Sequence, residues 1–323
     1  MRQATARAHS NIAFIKYWGN QDDDLRLPVN PSISMNLDNL YTDTTVLWDD
    51  TLASDSLTIN GESASGKALE RVSKHLDKLR KQLQISSPAQ VQSKNNFPMG
   101  AGIASSASAF AALTLAAVTA AEVELSEREL SALARLGSGS ASRSIPAGFV
   151  EWHTGKTHGE SFAETVVQAN YWDLIDVIAI VSDEHKHTTS QAGHPTAKTS
   201  DLQNARVAGA AQRLQICKQA IIDRDFSTFT EVVESDSNLM HAVMMTSQPP
   251  LFYWKPTTLT IMESIRDWRS EGLAVCYTLD AGPNVHCICI SNDADTVRNR
   301  LQTLSGVIDV RVANAGGAAH ILP

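Results

Sequence analysis

From Ser105 to Glu122 the chain is almost entirely alanine, leucine, valine and phenylalanine, long enough for a helix and apolar on most of its faces. Such a helix must be enclosed by other elements, so the fold is built around it. It is entered through Pro98-Met-Gly-Ala-Gly-Ile-Ala-Ser-Ser-Ala107, a glycine-containing turn running straight into the first helical residues. Backbone N–H groups freed by that turn, with the positive end of the helix dipole, suit a phosphate. Gly100, Gly102, Ala104, Ser105 and Ser106 are therefore candidate contacts to a nucleotide's phosphates. A purely structural turn satisfies the same pattern, and glycine turns before helices are common.

At 323 residues the chain is long for one core, and two domains sharing a cleft are expected. The boundary is placed after the β-branched run Ile175 to Val181, where a polar loop from Ser182 to Thr199 begins, giving domains 1–181 and 182–323. The net charge of −8 argues against nucleic acid or an anionic membrane as partner. No apolar run approaches the ~20 residues of a membrane span, and residues 1–5 lack the apolar stretch of a signal peptide, so a cytoplasmic protein is expected. Four cysteines, Cys217, Cys276, Cys287 and Cys289, are too few for a disulfide scaffold and lack zinc-ligand spacing; they read as buried thiols. His185, His187 and His194 cluster in the polar loop without a recognised metal pattern.

Strands are expected at Ile12 to Trp18, Thr44 to Trp48, Leu273 to Leu279 and Val285 to Ile290, and helices at Leu69 to Leu83, 201–223 and 257–271. Ser126 and Glu129 form a capping box before a helix that stops at Gly137. Strands and helices alternate without a strict βαβ beat, which makes the class α+β.

Gly155-Lys156-Thr157 resembles the end of a P-loop, but Val150 stands where the first glycine is required, so that reading fails. Lys16 lies in an otherwise apolar stretch, Asn11 to Gly19, where a lysine is usually paired with an anion. Arg143, among the serines of Gly137-Ser-Gly-Ser-Ala-Ser-Arg-Ser144, suits bidentate carboxylate or phosphate recognition, or is a surface arginine. Asp280 opens the turn Asp-Ala-Gly-Pro-Asn284, a place where aspartate is also ordinary turn chemistry.

Six ordered blocks carry a resemblance: Asn11-Ile-Ala-Phe-Ile-Lys-Tyr-Trp-Gly19, Leu27-Pro-Val-Asn-Pro-Ser-Ile-Ser34, the 98–107 turn, Ala134 to Ile145, Gly148-Phe-Val-Glu-Trp152 and Tyr277 to Asn284. Together they resemble diphosphomevalonate decarboxylases of the GHMP kinase superfamily over nearly the whole chain. The resemblance implies the two-domain GHMP fold with its active site between the domains, ATP and Mg2+ as cofactors, a small-molecule substrate and a homodimer. It implies Asp280, Lys16 and Arg143 as catalytic residues: Asp280 accepting the C3 hydroxyl proton, Lys16 stabilising the transferring phosphoryl group, and Arg143 forking the C1 carboxylate. Asn11, Ser138 and Ser140 are placed at that end of the substrate. Tyr17, Trp18 and Ser190 are placed at its 5-phosphate end, and Ser105 and Ser106 at ATP, with Ser106 as the magnesium contact.

Three departures from the family pattern are informative. Asn20 stands where relatives usually carry a second lysine, Ser190-Gln-Ala-Gly-His194 has no cation after its serine, and Pro146-Ala147-Gly148 replaces Tyr-Gly-Gly. A diphosphate carries roughly one more charge than a monophosphate, and each charge-assisted contact contributes about 1.5 to 3 kcal/mol. Two missing cations thus favour mevalonate 5-phosphate as substrate, giving isopentenyl phosphate, with His194 as a partial cation at its phosphate. The alternative is the diphosphate, with other lysines such as Lys186 supplying the charge. A mevalonate 3-kinase that does not decarboxylate is disfavoured by the retained Lys16 and Asp280, and a non-catalytic nucleotide- or RNA-binding protein by the acidic charge.

Overall fold

The computed structural model describes residues 3–97, 105–182 and 188–323. In chain order the first half holds β1 (Gln3–Ile15), β2 (Asn20–Asp22), β3 (Leu27–Pro28), β4 (Ser32–Trp48), β5 (Ser56–Ile59), β6 (Glu62–Ala64) and α1 (Lys67–Leu83). These are followed by β7 (Ala89–Asn95), α2 (Ser105–Ala120), α3 (Glu127–Gly137), β8 (Phe149–Trp152), β9 (Ala163–Val167) and β10 (Leu174–Ile180). The second half adds α4 (Ser190–Gly193), α5 (Gln203–Asp223), α6 (Phe226–Thr246), α7 (Pro256–Ser270), β11 (Val275–Thr278), β12 (Val285–Ile290), α8 (Ala294–Thr303), β13 (Asp309–Asn314) and β14 (His320–Leu322).

Two antiparallel-rich sheets organise the chain, and the α+β class holds. The larger runs β14-β1-β4-β7-β5-β6, with β8 joined to β4 and β9 to β8; the smaller runs β11-β12-β10-β13. As its composition requires, α2 is walled in: Ala111, Ala112, Ala116 and Ala117 are fully buried in a core with Ala6, Ala8 and Val46 of the sheet and Leu76 and Leu79 of α1. Alanines on the sheet-facing side let helix and strands approach closely. The Ser126–Glu129 capping box is present at α3.

The smaller sheet is covered on one face by α7 and α8, through Ile261, Ile265, Trp268, Val297 and Leu301. Its other face, with Ile178, Ile180, Cys276 and Ile288, meets Phe14, Met35, Leu214 and Phe229 in one continuous core. β1 and β4 thereby pack on α2 and on the second half of the chain, and the first residues beyond β1 emerge at the junction. The four cysteines are buried free thiols. No described helix is long and apolar enough to cross a membrane.

Two local readings are corrected. β1 stops at Ile15 rather than Trp18, because residues 16–19 turn their backbone groups to the other half: Asp236 accepts from Lys16 N at 2.6 Å, and Arg206 donates to the Trp18 carbonyl at 2.6 Å. Within the loop expected from 182 to 199, α4 and a 3-10 turn at His194–Thr199 are ordered; 183–187, with His185, Lys186 and His187, lie outside the described residues.

Candidate active site

A cavity between the two halves is lined by Lys16, Tyr17, Trp18, Ser106, Ser138, Ser140, Arg143, Ser190, His194 and Asp280. These are ten of the residues singled out in the sequence, from segments as far apart as 16 and 280. Ser105 lines an adjoining cavity, while Gly100, Gly102 and Ala104 lie outside the described residues.

At one end of the cavity, Lys16 Nζ donates to Asp280 Oδ1 at 2.8 Å. Lys16 is buried and Asp280 partly open to the cavity, with side chains 1% and 26% exposed. Burial pulls the lysine pKa down, and the Asp280 charge holds it back. For Asp280 burial acts upward, but Lys16 outweighs it, with help from His286 and Arg143, so the carboxyl stays below its ordinary range. The pair is fixed from both sides. Leu279 N, next to Asp280, donates to Ser237 Oγ at 3.0 Å, Gly282 N closes the turn on the Asp280 carbonyl at 2.7 Å, and Asn30 holds the Lys16 carbonyl at 2.9 Å.

Arg143 is buried, and burial lowers its pKa to about 10. It donates to Ser32 Oγ at 2.7 Å and to Asn11 Oδ1 at 3.2 Å, while its Nε is buried with no partner among the described residues. A guanidinium desolvated against neutral groups, with a donor left over, is built to receive an anion. Asn11 is not in the cavity wall. Its amide reaches the Ser140 carbonyl and Ser144 Oγ at 3.1 and 2.8 Å, so it orients Arg143 and the serine turn.

The other end is aromatic and basic. Tyr17, His194 and Trp18 stack in sequence, with centroids 4.2 and 4.6 Å apart. Close approach there needs missing side chains: a Cβ at Gly139 would lie 2.5 Å from the Tyr17 ring, and one at Gly193 2.6 Å from Trp18. His194 Nδ1 accepts from Gly19 N at 3.0 Å, so its proton sits on Nε2. Burial, reinforced by Arg26 and Arg206, pushes its pKa down to about 3. The partial cation expected at His194 is therefore a neutral ring.

Sequence reasoning missed Arg26 and Arg71, which line this end. Arg71 donates to the Gly137 carbonyl at 3.3 Å and its Nε is buried without a described partner; burial lowers its pKa to about 10. Neither stands in a motif, and among the described residues neither has a carboxylate within ion-pair distance. Asp236 and Arg206 were missed as well; they position the 16–19 segment rather than line the cavity. Pro146, Ala147 and Gly148 do not line it either.

A lysine–aspartate pair, a buried arginine short of an anion and a basic far end, set between two α+β halves beside an apolar cavity, have the chemistry that phosphoryl transfer to an acidic small molecule requires. Comparisons place the chain within that class. Residues 8–163 match the diphosphomevalonate decarboxylase-like N-terminal domain and residues 176–314 the mevalonate 5-diphosphate decarboxylase C-terminal domain. The diphosphomevalonate decarboxylase of Candida albicans is 40% identical over 301 residues, covering 88% of this chain and 83% of the relative; that of Ganoderma lucidum is 39% identical, covering 87% and 77%. The crystal structure of mevalonate diphosphate decarboxylase from Staphylococcus aureus superposes with a TM-score of 0.95 at 36% identity, covering 99% of this chain and 98% of that one. The structure of MDDEF in complex with MVAPP, AMPPCP and magnesium gives 0.94 at 35%, with the same coverage. The chain belongs to the mevalonate diphosphate decarboxylase family of the GHMP kinase superfamily, and its class is that of an ATP-dependent decarboxylase.

Proposed function

We propose that the protein decarboxylates mevalonate 5-diphosphate to isopentenyl diphosphate at the expense of ATP. The observation that carries the reaction is the Lys16–Asp280 pair at 2.8 Å in one cavity with Arg143, whose Nε has no partner among the described residues. ATP supplies the phosphoryl group that turns a tertiary C3 hydroxyl into a leaving group. Asp280, held ionised, accepts the hydroxyl hydrogen as the oxygen forms its bond to the phosphoryl group. Lys16 offsets charge on that group. Arg143 holds the C1 carboxylate so that, as the C3–O bond breaks and phosphate departs, the C1–C2 bonding pair becomes the new double bond and CO2 leaves.

The residues present fit ATP. Beside the site lies a mainly apolar cavity of about 180 Å3, walled by Leu57, Ile59, Val72, Val91, Phe110 and Leu113 with Ser93 and Asn95. It shares Ser106 and Arg71 with the substrate cavity, so the phosphates of a nucleotide whose base is held there can extend into that cavity. Ser106 and Asp280 offer the hard oxygens magnesium prefers.

For the tail of the substrate, the sequence favoured a monophosphate because Asn20 and Gln191 are uncharged. Arg26 and Arg71 supply positive charge at the same end, and the relatives compared above are diphosphate enzymes by name. Both lines of support favour the diphosphate. The test is ATP-dependent CO2 release with the 5-diphosphate and the 5-phosphate side by side: kcat/KM is expected to favour the diphosphate, and the reverse preference overturns this reading. A homodimer belongs to the same proposal and is checked by the mass of the active species in light scattering.

A further inference from the structure

Arg26 sits where an arginine is costly to place. Its backbone φ is +50, a conformation that residues with side chains rarely adopt. The turn that imposes it is tied down at every residue: Leu25 N donates to Asp22 Oδ1 at 2.8 Å, Arg135 Nε to the Leu25 carbonyl at 2.9 Å, and Lys78 Nζ to the Asp24 carbonyl at 2.7 Å. Arg26 Nε in turn donates to the Leu136 carbonyl at 3.0 Å, at the C-terminal end of α3. That bond fixes the plane of the guanidinium and leaves its two terminal nitrogens with no described partner.

The surroundings make the group short of an anion. Arg26, Arg71, Arg135 and Lys78 all rest on backbone carbonyls. Among the described residues none of the four has a carboxylate within ion-pair distance. Asp23, the acid that acts on Arg26 electrostatically, is engaged by Asn20 Nδ2 at 2.8 Å, and the Asn20 oxygen accepts from Tyr17 OH. The Asn20 amide is thus spent within the protein. Like charges gathered with no carboxylate in direct contact, Asp22, Asp23 and Asp24 acting on them only from a distance, cost free energy that a bound anion recovers.

We infer that Arg26 binds the outermost phosphate of the substrate's tail, and that its guanidinium sets how much more tightly a diphosphate binds than a monophosphate. This rests on the substrate class proposed above. The test is therefore equilibrium binding without ATP, by calorimetry, of mevalonate 5-diphosphate and 5-phosphate to the wild type, Arg26→Gln and Arg26→Lys. Arg26→Gln is expected to weaken the diphosphate by about 100-fold and the monophosphate by less than about 5-fold, collapsing the ratio of the two dissociation constants; Arg26→Lys restores part of the ratio. A ratio unchanged within about 3-fold in Arg26→Gln, or equal losses on both ligands, overturns the inference. The ratio is defined whichever substrate the wild type turns over, so wild-type CO2 release decides the substrate reading separately. Should Arg26→Gln fail to fold, Arg26→Lys decides: a wild-type ratio in a folded Arg26→Lys overturns the need for the fork.

Discussion

The two ends of the cavity handle charge in opposite ways. At the reacting end Lys16 and Asp280, 264 positions apart in sequence, form a closed pair 2.8 Å long whose backbone is held by Asp236, Asn30 and Ser237. At the tail end Arg26 and Arg71 make their hydrogen bonds to carbonyl oxygens alone among the described residues, and Lys78, behind the cavity wall, is held in the same way. A closed pair keeps both partners ionised in a buried site and ready for chemistry, whereas cations on neutral acceptors stay available for a ligand's charge. Under the proposed function chemistry and recognition are separated along one cavity, and Arg143 joins them with a cation that is buried like the first group and, like the second, has no carboxylate in ion-pair contact among the described residues.

Breaking the reacting end should cost most. Asp280→Asn removes the proton acceptor while keeping its size, and CO2 release is expected to fall by roughly 1,000-fold or more, with binding of a non-hydrolysable ATP analogue intact by calorimetry. Near-normal turnover would take Asp280 out of the mechanism. Lys16→Met is next, with kcat down on the order of 100- to 1,000-fold. It also carries a signature in pH. Lys16 keeps the Asp280 carboxyl below its ordinary range against burial, so without the lysine the carboxyl pKa rises and the acid limb of kcat/KM moves to higher pH. A limb that stays put would mean Asp280 is not the titrating base. Arg143→Lys keeps a charge and loses the fork, with an expected loss in kcat/KM of about 100-fold, about 2.7 kcal/mol; a lysine variant as active as the wild type would move carboxylate recognition elsewhere.

The sequence made the reacting end legible and the tail end much less so. Lys16, Arg143 and Asp280 stand in blocks whose neighbours constrain them: an apolar stretch, a glycine–serine turn, an Asp-Ala-Gly-Pro-Asn turn. The enclosed helix α2 was equally plain, since its composition leaves no solvent face. Arg26 and Arg71 carry no such mark. Arg71 stands on α1, four positions from Lys67 and three from Lys74, and reads as one more solvated charge. What singles it out is the α3 carbonyl it reaches, a contact 66 positions away. Counting cations along the chain therefore registered the loss at 20 and 191 and missed the supply at 26 and 71. His194 misled for a related reason: its ordinary pKa near 6.5 suggests a partial cation, but stacking between Tyr17 and Trp18 removes the water that a charge would need.

The imbalance at the tail end reaches behind the cavity, and this gives the smallest expected effect. His75 of α1 is buried between the helices, with its Nε2 and Thr114 Oγ1 2.8 Å apart and its Nδ1 without a partner among the described residues. Burial, joined by Lys78, Arg26 and Arg71, pushes its pKa down to about 3. In the unfolded chain the ring titrates near 6.5, so above that pH it is neutral in both states and stability is at its full value. As pH falls from 6.5 the unfolded state takes up the proton first, and stability is lost progressively until the folded pKa is reached. Between pH 6.5 and 4.5 the contribution of one such histidine is on the order of 2 kcal/mol. His75→Gln keeps a polar group for Thr114 and cannot charge, so its urea-derived stability is expected to fall more gently than the wild type's over that interval. Parallel curves would mean that His75 titrates normally and that the influence of the tail end's positive charge stops at the cavity wall.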